Sequence, residues 1–141
     1  MSLSRTMTVT FLDTNVILRH LLQDDPEQSP KATAFLIRIE RGELKGCISE
    51  LVIFETVFTL QRRYQQPKVR IRKILLPLIL LPGILIPGKH RWMKVFNTYV
   101  DLNLSFADAY HAVLMEKLKL SKIATFDKDF DRVPGIKRIE L

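Results

Sequence analysis

Apolar and polar positions alternate with a period of two over Met7–Leu12, MTVTFL, and β-branched residues fill the run, so it predicts a strand. The period then lengthens. Val16, Ile17, Leu18, Leu21 and Leu22 mark a short apolar helix from about Thr14 to Leu22, and QDDPEQ after it predicts a loop. Ser29-Pro30 reads as an N-cap followed by proline at the first helical position. Ala32, Phe35, Leu36 and Ile39 give the helix that follows an apolar face, and Gly42 ends it. Gly46–Ser49 predicts a short strand. Glu50 to about Tyr64 predicts a helix that is apolar nearly all round, and such a helix is buried. Further elements are a helix over Val69–Leu80, a turn at Pro82-Gly83, a buried strand over Ile84–Ile86 and a helix over His90–Val100. Ser105 caps a helix to about Leu118, and Lys122–Phe126 and Ile136–Leu141 supply the last two strands.

Strands therefore alternate with helices, which predicts an α/β fold: a three-layer α/β/α sandwich with a mostly parallel central sheet. The 141 residues suit a single domain over 1–141, with Met1–Thr6 reading as a leader ahead of a start at Met7. No repeat or long linker divides the chain.

Composition narrows the class. Hydrophobic residues make up 47% of the chain, which excludes a disordered one. The single cysteine, Cys47, excludes an internal disulfide and points to a reducing, cytoplasmic compartment, with Cys47 itself a small buried hydrophobe. Ile74–Pro87, ILLPLILLPGILIP, is too short for a membrane span of about 20 residues and is broken by Pro77, Pro82, Gly83 and Pro87.

Charge adds a partner class. The net charge is +7, and no Asp or Glu occurs from Thr56 to Val100. That window holds Arg62, Arg63, Arg70 and Arg72 besides five more cations. A basic middle points to a polyanion, most simply nucleic acid, although a solvated helix face has the same composition. Those four arginines are the candidate phosphate contacts.

The acids supply the chemistry. Asp13 lies just past the carboxyl end of the first strand, where open parallel sheets bind ligands. Asp127 directly follows the strand KIATF, and Asp129 and Asp131 come soon after. Asp108 falls in the first turn of the helix capped by Ser105. Glu55 lies about one and a half turns into its helix among Phe54, Val57 and Phe58, so it is expected to be poorly exposed. Each has a structural reading as well: Ser105 and Asp108 as a capping box, Asp13 as a cap, Asp127–Asp131 as a solvated turn, Glu55 as half of an ion pair. Converging carboxylates repel one another, and a hard divalent cation with oxygen ligands removes that cost. His20, His90 and His111 are scattered, so no zinc spacing competes. An acidic, water-retaining Mg²⁺ or Mn²⁺ site beside a basic surface points to phosphodiester hydrolysis.

Four segments, FLDTNVIL, ISELVIFETVFTL, SFADAYHA and IATFDKDFDRVPGI, resemble the four acidic motifs of the PIN domain, in that family's order and spacing, over Thr8–Leu141. Within the family they are similar to VapC-like toxins, the ribonuclease half of toxin–antitoxin pairs. The resemblance implies that Asp13, Glu55 (rather than Glu50), Asp108 and Asp127 bind Mg²⁺ or Mn²⁺ and position the attacking water. FDKDF offers Asp129 as a second candidate beside Asp127 for the fourth role, with Asp131 left open as a further one, and the resemblance implies polar support from Asn15 and Thr125. An RNA substrate, a homodimer and a cognate antitoxin covering the site are implied too. Two other classes compete. One is a catalytically inactive PIN-like module that binds RNA or protein. The other is a phosphotransfer domain, but the phosphatase type wants an aspartate where Asn15 stands and the receiver type fits Lys128 poorly.

Overall fold

The computed structural model describes residues 8–141, so the expected leader and Met7 lie outside the described residues. The first strand, β1 (Val9–Phe11), pairs in parallel with β2 (Lys45–Cys47), and β2 pairs in parallel with β3 (Ile84–Leu85). Gly46 stands in register between Thr10 and Ile84. A Cβ there would come within 2.9 Å of both Ile39 Cδ1 and Leu12 Cδ1, so glycine is what lets the core close down on the middle strand. β4 (Lys122–Ala124) and β5 (Lys137–Ile139) form a second parallel ladder.

The fold is α/β with parallel strands, as the alternation predicts. The central sheet, however, comes as two ladders: among the described residues β1 and β4 do not pair, and Val9 and Phe11 are exposed. On β5 the Arg138 guanidinium clasps both carboxylate oxygens of Asp131, in the segment between β4 and β5, at 2.7 and 3.0 Å.

The helices are α1 (Thr14–Leu22), α2 (Gln28–Glu40), α3 (Glu50–Arg62), α4 (Lys68–Ile79), α5 (Trp92–Asp101) and α6 (Phe106–Lys117). Ser29 is not the cap of α2. The helix begins at Gln28, and Asp25 Oδ1 accepts from the backbone N–H of Glu27 and of Gln28 at 2.9 and 2.7 Å, while Ser29 is buried inside the first turn. An aspartate reaches two free donors at once, so it displaces the serine. Pro77 lies inside the last turn of α4, which continues to Ile79. The α4–β3 turn is clamped by Lys89, whose Nζ donates to the carbonyl oxygens of Leu81 and Ile84. Cys47 is half-buried rather than buried.

The core runs through Ile17, Ile39, Ile48, Leu60, Leu75 and Phe96. One end of it is aromatic. Trp92 stacks on Phe106 at 6.3 Å, and Phe54 meets Phe106 and Tyr110 edge-on at 5.2 Å each. Such pairs contribute about 0.5–1.5 kcal/mol each beyond area burial, and here they join α3, α5 and the start of α6. That anchors the N-terminus of α6, which carries Asp108. No helix among the described residues is long and apolar enough to cross a membrane.

Candidate metal centre

Local chemistry brings three acids together. Ser105 caps α6 as expected: its Oγ accepts from the Asp108 N–H at 3.1 Å, fixing Asp108 at the third helical position. After β4, Thr125 Oγ1 accepts from the Asp127 N–H at 3.0 Å, and Asp127 Oδ1 accepts from the Asp129 N–H at 2.8 Å. These two turns begin the 3₁₀ helix over Lys128–Arg132. They direct the loop so that carboxylate oxygens of Asp108, Asp127 and Asp129 lie within 4.8 Å of one another.

The electrostatics follow. Burial raises the pKa of Asp108 above its ordinary value; the Ser105 hydroxyl lowers it, and the nearby Asp127 charge raises it again. Asp129 carries a counter-charge: Arg132 donates to its Oδ1 at 3.1 Å and to the Asn103 carbonyl at 2.8 Å. Asp131 is taken by Arg138, so of the two later aspartates only Asp129 joins the group.

Glu55 and Asp13 stand apart from that triad. Glu55 is exposed, contrary to the burial expected of it, and its partner is no cation: the Thr14 hydroxyl donates to Glu55 Oε2 at 3.0 Å. Helix α3 turns Val52, Ile53, Thr56 and Val57 inward, which leaves position 55 on the outer face. Asp13 is exposed and precedes Thr14 at the N-cap of α1, but its side chain makes no cap bond, so its carboxylate is left for other partners. Glu55 shares a groove with Ser105, Phe106 and Ala107, the residues leading into Asp108. Asn15 is exposed on the first turn of α1. Glu50 accepts a hydrogen bond from the Tyr110 hydroxyl.

The four arginines divide. Arg62 lies over the Phe58 ring with Cζ 4.5 Å from its centroid, and Arg63 lies over Tyr64 at 5.7 Å. Arg70 is exposed. Arg72 is committed to surface contacts within the chain, donating to Asn97 Oδ1 at 3.2 Å and pairing with Asp101 at 3.5 Å.

A donor set made only of carboxylates suits a hard cation such as Mg²⁺ or Mn²⁺. The family model of the PIN domain matches residues 10–136, a span that includes all the acids described. The chain belongs to the PIN domain family. The PIN domain is generally a nuclease fold and typically metal-dependent, and this PIN domain carries an acidic cluster of that character. No curated protein matches the chain.

Two contacts at this PIN site differ in how far the chain marks them. Thr14 sits between Asp13 and Asn15 and reads as helix start, and its contact to Glu55 spans 41 positions, so nothing local marks it. Arg132 follows Asp129 by three, the spacing of a one-turn ion pair, which is a signal present in the residues.

Proposed function

We propose that this PIN domain is a Mg²⁺- or Mn²⁺-dependent endoribonuclease, the toxin of a toxin–antitoxin pair, hydrolysing RNA phosphodiesters. The observation that carries this reading is the gathering of Asp108, Asp127 and Asp129 within 4.8 Å, next to a groove that Glu55 also lines. Asp108, Asp127 and Asp129 would hold the ion, with Asp13 contributing from the β1 end. A bound divalent ion lowers the pKa of water and offsets the charge that gathers at the phosphate. Glu55, oriented by the Thr14 hydroxyl, is the exposed carboxylate suited to accept a proton from the attacking water. Arg62, Arg63 and Arg70 would meet the RNA backbone. The toxin assignment, the homodimer and the antitoxin partner rest on the VapC-like motifs.

The test is a thermal melt of chelator-treated protein with and without Mn²⁺, for the parent, Asp13→Asn and Asp108→Asn. A ligand that binds only the folded state raises the midpoint. The midpoint should rise in the parent and not in Asp108→Asn, and the parent alone should cut RNA. A second reading, an inactive RNA- or protein-binding module, draws support from Asp129 being neutralised by Arg132 and Asp127 serving as a turn cap. It gains if Mn²⁺ moves no midpoint and RNA stays intact.

A further inference from the structure

Helix α3 carries a large aromatic ring turned outward one turn before its C-terminal end. Phe58 is 59% exposed although the helix has a buried face one position away at Val57. The exposed part of the ring is apolar surface that a flat ligand can cover. The ring forms one wall of a groove of about 440 Å³ between α3 and the start of α6, within the size range of small-ligand clefts. Glu55, Ser105 and Ala107 line the same groove, which makes it continuous with the acidic edge.

Its chemistry is that of a base platform. Arg62 lies over Phe58 with its Cζ 4.5 Å from the ring centroid, which adds positive charge beside the aromatic face. Gln61 is anchored, because the Tyr99 hydroxyl donates to its Oε1 at 2.6 Å. That leaves the Gln61 amide N–H groups as donors for a base edge. Arg63 follows directly, and no acid occurs from Thr56 to Val100, so the flanking phosphates meet only positive charge along this stretch of chain.

We propose that this groove is a nucleobase subsite, in which the Phe58 ring stacks a base of single-stranded RNA next to the scissile phosphate and Arg62, over the same ring, supplies positive charge to the adjoining backbone. The inference rests on the nuclease reading and extends it to substrate class. A base can reach such a shelf only when it is unstacked from its neighbours, as in loops and single strands and not within a duplex. RNA is favoured over a protein occupant because Arg62 lines the groove and its Ser105–Ala107 wall leads directly into Asp108.

The experiment measures fluorescence anisotropy of a labelled 12-nucleotide single-stranded RNA and of its duplex with Mg²⁺ present, on Asp108→Asn protein so that the RNA survives. Phe58→Ala, Phe58→Trp and Arg62→Gln are added in turn, and cleavage by the parent is followed in parallel. Phe58→Ala should weaken single-strand binding about five- to a hundredfold, the range for loss of one base stack. Its slope against log salt should stay unchanged, because the ring neutralises no phosphate. Phe58→Trp should restore the affinity, Arg62→Gln should flatten the slope, and duplex binding should respond little to Phe58→Ala. Since Phe58 is exposed, its truncation should leave the melting midpoint in place. Equal binding by Phe58→Ala and its background, with the parent cutting RNA normally, would overturn the subsite and leave the nuclease standing. Absence of both binding and cleavage overturns both. A change of oligomeric state in Phe58→Ala with RNA affinity unchanged assigns the ring to a protein interface and overturns the subsite.

Discussion

The Thr14 hydroxyl donates to Glu55 Oε2 at 3.0 Å, tying the end of the first strand to the outer face of the third helix. Thr14 is itself buried, so this bond has a fixed origin. Thr14→Val keeps the shape and removes the donor. Stability should change by about 1 kcal/mol or less. RNA cleavage should drop roughly tenfold, the lower end of what loss of an orienting partner does at a metal site. Parallel melts and cleavage rates separate the two, and an unchanged rate would remove Glu55 from the chemistry.

Arg132 neutralises Asp129 at the rim of the acidic group. A divalent cation arriving there meets a like charge. Arg132→Gln should therefore tighten Mn²⁺ binding by about three- to tenfold, a shift consistent with one screened like-charge interaction. Titration by Mn²⁺ electron paramagnetic resonance checks it. Weaker binding would show instead that Arg132 holds Asp129 in position through its anchor on the Asn103 carbonyl.

Arg72 should behave unlike Arg62, Arg63 and Arg70. Neutralising the latter three should flatten the salt dependence of RNA binding, by about 0.7 in log–log slope for each single-strand phosphate left without its cation. Arg72→Gln breaks the bonds to Asn97 and Asp101 and should cost about 1 kcal/mol or less of stability with the slope unchanged. The full salt series on all four variants decides this.

His20 offers a pH test away from the acids. Burial lowers its pKa below the ordinary 6.5, with Glu40 pulling weakly the other way. Its Nδ1 lies 2.8 Å from Thr33 Oγ1, which Gln23 already serves as donor, so the Thr33 hydroxyl proton is free for a neutral ring. A depressed folded value means that the contribution of His20 is present above pH 6.5 and is lost as pH falls through the lowered value. His20→Gln should flatten the fall in melting midpoint between about pH 7 and 5 by a degree or two. An identical acid limb in the two proteins would show that His20 does not set it.

The alternation of strands and helices, the cap at Ser105 and the placing of Asp13 and Asp127 after strands and Asp108 in a helix first turn were legible in the residues, because periodicity and capping act within a few positions of the chain. So was membership of the PIN domain family, whose motifs are short and local. The cap of α2 went to Asp25 rather than Ser29 because two donors lay within one side chain's reach, a competition that adjacent spacing does not rank. Only the tertiary structure chose among Asp127, Asp129 and Asp131: Arg138, on the last strand, removes Asp131, and the turn at Thr125 aims the other two at Asp108. It alone exposed Glu55, found Thr14 for it, withdrew Arg72 into an ion pair and split the strands into two ladders. Each of these depends on which charges and edges meet across tens of residues, and hydrophobic patterning determines faces and not partners.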